Sequence, residues 1–429
     1  MDNYDPVSAI APARPGSRAN AVTGDALERP RRQALPFLGA LAAAVAGVAM
    51  SCGDGSGANA DLLGSSTEAD GIKATLLDVR LNDPWGLAFL PDGRMLVTQR
   101  GGSFAIVKAD GSAVDATVSG PVPAVATSGQ GGLLDVVLDP AFSTDQTIYW
   151  TYSEPGTGGA GTAVARGRLN GSTLSDVAVI YRQTPKVSGG NHFGSRLAFR
   201  SDGTLYVTLG ERAQDAPEAP TTANAQNLAK TLGKVIRINR DGSPAAGNPS
   251  LGAGALPEIW SYGHRNPQGA AVRPGTDELW LTEHGPRGGD ELNVALAGKN
   301  YGWPLRSYGC PYSFAESDPA CRPGGTGGVH APEFEEPKTT WLPVSTAPSG
   351  LLFYTGSRFP DWQGHVFAGA LAGQTLWHVP VDGGTVGAAG KQSISAVSAL
   401  GRRIRDVRQG PDGWIYLLST DGRVIRVER

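Results

Sequence analysis

Short apolar runs alternate with polar turns along most of the chain, and the turns are rich in Pro, Asp and Gly. In GLAFLPDGRMLVT and RLAFRSDGTLYVT, for example, two apolar runs flank the turns LPDG and RSDG. An apolar run, a tight turn and a second apolar run together indicate a β-hairpin. Related segments begin at Gly86, Leu133, Arg196, Gly269, Gly350 and Arg405. The pattern therefore predicts a chain built from six related hairpins.

The spacing of these hairpins indicates how they are organised. They recur every 45 to 80 residues or so, which leaves room for about four short strands in each repeat, as in propeller blades. The best helical candidate, NAQNLAKTLGKVIRINRDG, is short and ends in a run typical of a strand. The sequence therefore predicts an all-β, six-bladed β-propeller over residues 72–429. We expect the final strands, near residues 412–427, to close the ring against the first blade.

The N-terminal residues follow a different pattern. Arg31 and Arg32 precede an apolar run, ALPFLGALAAAVAGVAM, which is followed by Cys52. A charged stretch before a moderately apolar one indicates an export signal, and a twin arginine resembles the signals of proteins exported already folded. We interpret residues 1–52 as an export signal region whose Cys52 carries a lipid anchor. The alternative is an uncleaved membrane-anchor helix.

The predicted localisation of the protein is outside the cytoplasm, either periplasmic or anchored on the outer side of the cytoplasmic membrane. Residues 53–71, GDGSGANADLLGSSTEADG, are interpreted as a flexible tether. In an oxidising compartment, Cys310 and Cys321 of the Pro-rich loop GCPYSFAESDPACRP are expected to form a disulfide. Two thiols without nearby histidines do not complete a zinc shell.

Composition narrows the class of partner. With 40% apolar residues the chain can bury a large core, and 18% charged residues with a net charge of −3 give no basis for binding nucleic acid. We expect a small-molecule substrate and a chain that works as a monomer or homodimer.

Residues suited to chemistry are concentrated in a few stretches near the hairpins. His192 lies in a glycine-rich turn, GGNHFGS, where its side chain is free to point at a ligand and its near-neutral pKa suits a general base. Arg265, in YGHRNPQG, and Arg403 and Arg405, in GRRIRDV, supply fixed positive charge suited to a ligand with several carboxylates. The side chains of Gln130, Asn266 and Gln268 add amide groups. The stretches therefore indicate a site for a planar, anionic ligand.

A second group of residues in TEHGPRGGDELN offers hard oxygen ligands. The carboxylates of Glu283, Asp290 and Glu291 surround the backbone carbonyls of Gly285 and Pro286, a set that favours Ca²⁺. Trp341 and Tyr354 are candidates for aromatic faces against the ligand, whereas His264 and His284 are expected to have supporting roles.

These motifs together resemble one family. GQGGLLDVVLDP, NHFGSRLAF, YGHRNPQG, EHGPRGGDELN, KNYGWP and RRIRDV, in this order, are similar to motifs of the soluble PQQ-dependent glucose/sorbosone dehydrogenases, most of all the aldose sugar dehydrogenase branch. The resemblance runs from about residue 72 to the C-terminus. It implies a six-bladed propeller that oxidises aldose sugars at C1 to the lactone with pyrroloquinoline quinone (PQQ) and Ca²⁺, and passes electrons to an unknown acceptor.

The resemblance also implies residue roles. His192 matches the base that takes the proton from the sugar C1 hydroxyl, and Glu211, in LGER, stands where the family has an Asp that orients this histidine. Carbonyls of Gly285 and Pro286 match the ligands of the Ca²⁺ at the cofactor, and Glu291 and Tyr301 match a second, structural calcium site. Ala372 stands where the family usually carries a Lys that contacts the quinone. The predicted catalytic residues are His192, Glu211 and Arg265, and the predicted cofactor-binding residues are Gln130, Arg265, Asn266, Trp341, Arg403 and Arg405.

Two other interpretations remain open from the sequence. A calcium-dependent lactonase-type hydrolase on the same propeller would use carboxylates and asparagines around one ion, but would leave the arginine pair without a role. A non-catalytic propeller that binds sugar or protein is the other, and Glu211 and Ala372 are the positions that favour it.

Overall fold

The computed structural model describes residues 65–216, 223–312, 322, 328–388 and 390–429. Strands dominate these residues, arranged in six antiparallel sheets of four or five strands. The predicted export signal (1–52), Cys52 and most of the tether lie outside the described residues. So does Cys321, the predicted partner of Cys310, although Cys310 itself is disulfide-bonded. No helix within the described ranges has both the length and the apolar character needed to cross a membrane.

Three blades follow one another in the first half of the chain, each with four consecutive strands. Two strands come before them, β1 (Ser66–Ala69) and β2 (Ile72–Leu76). Blade one consists of β3 (Pro84–Phe89), β4 (Met95–Gln99), β5 (Ser103–Val107) and β6 (Val114–Thr117). Blade two consists of β7 (Leu133–Leu138), β8 (Thr147–Gly156), β9 (Gly159–Asn170) and β10 (Thr173–Arg182), with the short helix α1 (Phe142–Asp145) between β7 and β8. Blade three consists of β11 (Gly194–Phe199), β12 (Leu205–Leu209), β13 (Lys234–Ile238) and β14 (Ile259–Tyr262).

Three further blades complete the ring. Blade four consists of β15 (Pro267–Val272), β16 (Leu279–Glu283), β17 (Asp290–Ala295) and β18 (Thr339–Trp341). Blade five consists of β19 (Pro348–Phe353), β20 (Val366–Ala370), β21 (Leu376–Val379) and β24 (Gln392–Ser393), with a 3₁₀ turn at Pro360–Trp362 and a small hairpin of β22 (Val381–Asp382) and β23 (Thr385–Val386). Helix α2 (Ser395–Ser398) precedes the last three strands, β25 (Ile404–Gln409), β26 (Ile415–Ser419) and β27 (Val424–Glu428).

The first strands of the blades form a closed inner circle. Each of β3, β7, β11, β15, β19 and β25 contacts the first strand of the next blade, and β25 contacts β3. The predicted six-bladed β-propeller is therefore confirmed.

The last strands contact the first blade, as expected, and the sheet of the sixth blade is completed by the N-terminal strands. Its sheet has the order β1-β2-β27-β26-β25, and Lys73 of β2 lies opposite Glu428 of β27. Alternation in β2 places Ile72, Ala74 and Leu76 in the core, which gives this strand a buried face for the sheet. Because β1 begins at Ser66, the fold begins before residue 72 and includes the last residues of the predicted tether.

Buried hydroxyl groups join neighbouring blades. On the second strand of each of the first four blades, a threonine hydroxyl donates to a carbonyl on the first strand of the next blade. These bonds run from Thr98 to Leu134, from Thr151 to Ser195, from Thr208 to Pro267 and from Thr282 to Ser349. Ser349 continues the series by donating to the carbonyl of Ile404, 2.7 Å away. The hydroxyls replace bonds to water that these carbonyls would otherwise lose on burial.

Apolar residues fill the wedges between blades. Phe104 of blade one meets Trp150 of blade two edge to face, with ring centroids 5.6 Å apart. Trp280 of blade four meets Phe353 of blade five in the same way, at 5.5 Å. Edge-to-face packing of large rings is favourable beyond the area that it buries, so these pairs fix the spacing of the blades.

Four charged side chains meet at the centre of the ring, and we call them the central ion network: Asp135, Arg196, Asp406 and Arg408. One guanidinium nitrogen of Arg196 lies 3.2 Å from Asp135 and 2.9 Å from Asp406. Arg408 contacts the same two carboxylates at 3.0 and 3.1 Å. Both aspartates are buried, and each also accepts a backbone N–H, from Leu197 and Leu87 respectively. The network therefore links blades one, two, three and six through fully satisfied charges.

We expect Asp406→Asn to destabilise the protein by about 3 to 5 kcal/mol, because it leaves two buried guanidinium groups short of a partner. Chemical denaturation with the free energy of unfolding extrapolated to water is the measurement. Asp176→Asn is a matched control, since Asp176 is 72% exposed and 3.9 Å from Arg168, and it should change stability by less than about 0.5 kcal/mol. Equal effects of the two substitutions would contradict the role of the network.

Candidate functional site

His192 lies in the turn that leads into β11 and is held by a carboxylate. Its backbone is left-handed, with φ of 53°, and its Nδ1 lies 2.5 Å from Oε1 of Glu211. The His192 side chain is 12% exposed, whereas Glu211 is fully buried. The second oxygen of Glu211 accepts the backbone N–H groups of Gln214 and Asp215. Glu211 therefore reaches the imidazole and is itself fixed from the other side.

The hydrogen bond to Glu211 decides which nitrogen of His192 is available. A carboxylate accepts, so Nδ1 carries the proton and Nε2 is left as the basic nitrogen. Among the described residues, Nε2 has no hydrogen-bond partner. Burial and the charge of Arg265 lower the pKa of His192, although the carboxylate of Glu211 opposes them. The imidazole is therefore neutral near pH 7 and able to take a proton.

A cavity of about 400 Å³ opens beside this histidine. Gln130 lines it, and the Gln130 side-chain oxygen accepts the backbone N–H of His192 at 2.9 Å. The other lining residues are Asp83, Arg100, Gly129, Gln268, His284, Ala347, Leu371, Arg403, Arg405 and Thr420. The structure thus brings together Gln130, Arg403 and Arg405, as the sequence predicted, within the size range of a small-molecule site.

The cavity carries more positive than negative charge. Arg100, Arg403 and Arg405 line it, against the one carboxylate of Asp83, which pairs with Arg100 at 3.2 Å. Burial, together with the neighbouring Arg196, Arg100 and Arg403, lowers the pKa of Arg405 to about 9. A shift in this direction means that the charged form is destabilised. An anionic ligand would remove that strain.

Aromatic and amide groups hold Arg405 in place. Its guanidinium donates to Oε1 of Gln268 at 2.9 Å and lies 5.5 Å from the ring centroid of Trp85. On the same indole, Arg196 of the central ion network lies 4.1 Å away. Nε of Arg196 also donates to the Gln268 carbonyl. Arg405 is therefore connected to the central ion network through Gln268 and Trp85.

Arg265 and Asn266 lie next to one another below the His192 turn, and each has an unused donor. The Asn266 side-chain oxygen accepts from the N–H of Gly194, but its Nδ2 is buried without a hydrogen-bond partner among the described residues. Nε of Arg265 is likewise buried without one. Because an unmet buried donor is costly, both are suited to a bound acceptor.

Asp290 holds the loop that carries the predicted calcium carbonyls. One of its oxygens accepts the N–H of Gly285 at 2.9 Å, and the other accepts the N–H groups of Thr346 and Ala347 at 2.8 Å. The carbonyl of Gly285 accepts from Arg265 at 2.7 Å, which leaves it one lone pair. The carbonyl of Pro286 accepts no hydrogen bond from the described residues. The loop therefore presents fixed, hard oxygen atoms.

A second, small cavity of about 20 Å³ brings Glu291 and Tyr301 together. Gly285, Glu283 and His330 also line it, and Nε2 of His330 is buried without a hydrogen bond in the described part of the chain. Burial and the nearby Glu283 raise the pKa of Glu291. Two buried carboxylates around space for a single ion are a donor set that suits Ca²⁺. The hydroxyl of Tyr301 donates to the Val294 carbonyl and accepts the N–H of Leu296, so the backbone carbonyl is the freer of its two oxygen atoms for a cation.

The structure places some predicted residues elsewhere. Trp341 is buried between blades four and five, where its ring centroid lies 6.2 Å from that of Trp377, and it does not line the cavity. Tyr354 packs against Phe359 in another apolar cluster. His264 is fully buried between Glu283 and Ser261, in the supporting position expected of it. His284 lines both cavities, and its Nε2 donates to the Pro348 carbonyl at 2.8 Å.

Sequence reasoning missed Arg100, although a signal for it exists. Arg100 donates to the carbonyls of Gly129 and Gly131 and so holds the loop that carries Gln130. In VTQRGG, VTLGER and LTEHGP, the residues two or three places after the interblade threonine are Arg100, Glu211 and His284. Residues just after the second strand of a blade thus belong to the site. The position two or three residues after the interblade threonine could therefore have been inspected in every repeat.

Comparisons with known proteins show which proteins the chain resembles. The profile of a family described as Glucose / Sorbosone dehydrogenase matches residues 81–426. The Escherichia coli (strain K12) protein named aldose sugar dehydrogenase YliI is 44% identical over 363 residues, which cover 83% of this chain and 92% of that protein. The apo-form structure of the soluble aldose sugar dehydrogenase from Escherichia coli superposes with a TM-score of 0.74 at 43% identity, over 83% of this chain and 99% of that one. The PQQ-bound aldose sugar dehydrogenase from Streptomyces coelicolor superposes with a TM-score of 0.63 at 30% identity, over 83% and 98%.

We expect Glu211→Gln to lower the pKa of His192 further, because both the hydrogen bond and the charge of Glu211 favour the protonated imidazole. The measurement is an NMR pH titration of histidine-labelled protein, with His192 assigned by its loss in His192→Ala. Glu278→Gln, which removes a carboxylate paired with Arg273, should leave the titration unchanged. An unchanged or higher pKa in Glu211→Gln would contradict the assignment.

Proposed function

The chain belongs to the glucose/sorbosone dehydrogenase family, and we propose that it oxidises an aldose sugar at C1 to the lactone with PQQ as its redox cofactor. The match of the family profile extends over most of the propeller. Two similar proteins of known structure carry the name aldose sugar dehydrogenase, and one of them was solved with PQQ bound. Membership makes the chain an oxidoreductase that acts on sugars, and the proposal adds the position attacked, the product and the residues.

The observation that carries the proposal is the His192–Glu211 pair beside the arginine-rich cavity. Nε2 of His192 takes the proton of the sugar C1 hydroxyl, while Glu211 holds the ring and stabilises the imidazolium that forms. When bound, the quinone supplies the acceptor for the hydride that leaves C1. Arg265, whose charge acts on His192, favours the neutral imidazole before the reaction begins.

The residues of the cavity fit PQQ, which is a flat tricarboxylate. Arg403 and Arg405 would pair with its carboxylates, and Gln130 lies at the edge nearest to His192. Nδ2 of Asn266 and Nε of Arg265, which have no partner among the described residues, would be free to donate to its oxygen atoms. Ala372 carries no charge where the family usually has a Lys, whereas Arg100 is a lining residue that brings a positive charge to the cavity.

Calcium fits the loop held by Asp290. The carbonyls of Gly285 and Pro286 would hold a Ca²⁺ ion, which would withdraw electron density from an oxygen of the bound ligand. Glu291 and the carbonyl of Tyr301 would hold a second ion with a structural role. Neutralising Glu283 and Glu291 by a cation would remove the cost of burying two like charges together.

The N-terminal sequence supports a place of work outside the cytoplasm. Arg31, Arg32 and the apolar run after them favour export, and Cys52 favours a lipid anchor on the outer side of the cytoplasmic membrane. The partners are the aldose substrate and an electron acceptor that the site does not identify.

We expect the purified chain, reconstituted with PQQ and Ca²⁺, to reduce a dye when an aldose is added, and to depend on Ca²⁺ for this. His192→Ala should reduce turnover by at least about 10²-fold, because the base is lost, and leave the PQQ titration unchanged. His365→Ala is the control, since His365 pairs with His378 on blade five, away from the cavity. Full turnover in His192→Ala would refute the role of His192.

Arg405→Met should weaken PQQ binding by roughly 10- to 100-fold, since a buried charged hydrogen bond is lost. Quenching of protein fluorescence during PQQ titration is the measurement. The control is Arg358→Met, because Arg358 also stacks on an indole, that of Trp414, but lies outside the cavity. An unchanged titration would rule out the arginine role. If the wild-type chain itself binds no quinone, the lactonase-type or the binding interpretation is favoured instead.

A further inference from the structure

Directly after Glu211, Arg212 extends a fully buried guanidinium group beneath the His192 turn. Its Nε donates to the carbonyl of Asn191 at 2.9 Å, and one terminal nitrogen donates to that of Gly189 at 2.6 Å. The other terminal nitrogen donates to the carbonyl of Ala160 on the neighbouring blade. All three acceptors are backbone atoms, and two of them belong to the turn itself. The side chain therefore binds the main chain on which His192 is carried.

The backbone of Arg212 holds the same turn. Its N–H donates to the carbonyl of His192 at 3.2 Å. Arg212 and the following Ala213 both have left-handed backbones, with φ of 68° and 54°. Two successive non-glycine residues in this region are unfavourable and persist only where the surroundings require them. This conformation places the N–H and the guanidinium of Arg212 on the same turn.

The turn needs such a support because its own sequence does not hold it. Gly189, Gly190 and Gly194 surround His192, and Gly189 and Asn191 are exposed. Glycine-rich, exposed segments lose much conformational freedom when they are ordered. Gln130 accepts the N–H of His192 and donates its own N–H to the Gly190 carbonyl, but without the bonds from Arg212 the turn would not keep the imidazole at Glu211.

The chemistry of the contact is specific to arginine. Only a planar guanidinium donates in three directions within one plane while its face lies against an aromatic ring, and that of Arg212 lies 3.6 Å from the ring centroid of Phe193. No carboxylate among the described residues forms an ion pair with Arg212. Carbonyl groups, two of them in the turn, accept the hydrogen bonds of its charged guanidinium. If the turn moved, these bonds would be lost and the buried charge would be left unsatisfied, which is costly.

We propose that Arg212 is a positioning residue that fixes the backbone of the His192 turn, so that Glu211 and Arg212 together set the orientation of the imidazole. The inference rests on the proposed function, in which His192 is the base. Glu211 selects the tautomer through its bond to Nδ1, and Arg212 holds the backbone of the turn where that bond can form, so a single tautomer needs both residues.

The first test needs neither cofactor nor turnover. In histidine-labelled apo-protein, nitrogen NMR reports the tautomer of His192, which is protonated at Nδ1 in the wild type. In Arg212→Lys the charge is kept but the planar fork is lost, and we expect a mixture of tautomers. Arg212→Gln, which also removes the charge, should show the same mixture. A wild-type tautomer in both variants would overturn the proposal.

The second test uses the enzyme reconstituted with PQQ and Ca²⁺. Misplacement of a base by about 1 Å costs roughly 10²-fold in rate, so Arg212→Lys should lower kcat by about 10- to 100-fold. The KM for the sugar and the PQQ titration should change by less than about twofold, because their binding groups are untouched. A kcat within about twofold of the wild type would overturn the proposal.

Arg237→Lys is the matched control for both tests. Arg237 is also buried, donates to Asn248 and to the carbonyl of Ala246, and lies 4.8 Å from the ring of Trp260, but it is on strand β13 of blade three and does not line the cavity. It should keep the wild-type tautomer and kcat, and an equal loss in this variant would assign the effect to general destabilisation. If the wild-type enzyme shows no turnover, the proposed function fails, whereas the tautomer measurement still tests Arg212.

Discussion

The central ion network is the constraint on which the remainder of the structure depends. In a propeller, the inner strands converge on an axis where backbone groups from every blade must be satisfied without water. Here Arg196 and Arg408 bridge Asp135 and Asp406, and the leftover donors and acceptors bind backbone atoms of neighbouring blades. A buried arrangement of this kind tolerates little change, because removing any one charge leaves its partners buried and unpaired. It fixes the inner strands of blades one, two, three and six relative to one another, and with them the starts of β11 and β25, next to which His192 and Arg403 lie.

The network also explains the electrostatics of the cavity above it. Asp135 and Asp406 are already committed to Arg196 and Arg408, so neither balances the arginines of the cavity. Arg405 lies over Trp85, with Arg196 on the same indole. The guanidinium of Arg405 is therefore held by the neutral side chains of Trp85 and Gln268 rather than by a carboxylate. The nearby carboxylate of Asp83 already pairs with Arg100. The excess of positive charge in the cavity therefore follows from the way the ring is closed at its centre.

Much of the fold was readable because each blade repeats one hairpin, and repetition is a signal that a single sequence contains. The order of motifs predicted that His192, Glu211, Arg265 and Asn266 belong to one site, and these residues do lie near one another. The pairing that completes the sixth blade could not be predicted, because β2 lies before the first repeat and its partner β27 lies more than 300 residues later. No local sequence pattern indicates a pairing of such long range. Trp341 was assigned to the ligand on residue type alone, and type does not distinguish the inner strand of a blade from its outer one.

Other features depend on distances that spacing in the sequence cannot supply. Whether Glu211 could replace an aspartate depended on the path of the backbone after β12, and its second oxygen is held by Gln214 and Asp215. Arg100 and Arg212 looked like ordinary charged residues in turns. Their roles depend on backbone carbonyl groups that are distant in sequence. Every residue has a carbonyl group, so residue types do not indicate which carbonyls these arginines will meet.

Closure of the sixth blade by the two ends of the chain has a consequence for the order of folding. β1 and β2 are synthesised first, but β2 finds its partner only when β27, near the last residue, has emerged. Each of the first five blades can form from consecutive strands as the chain grows, whereas the ring remains open until synthesis ends. Contacts of such long range are slow to form, and the edge of β2 that pairs with β27 stays unpaired meanwhile. The late step of folding is therefore the joining of the two ends, and whatever keeps β2 from pairing wrongly during synthesis governs the yield of closed propeller.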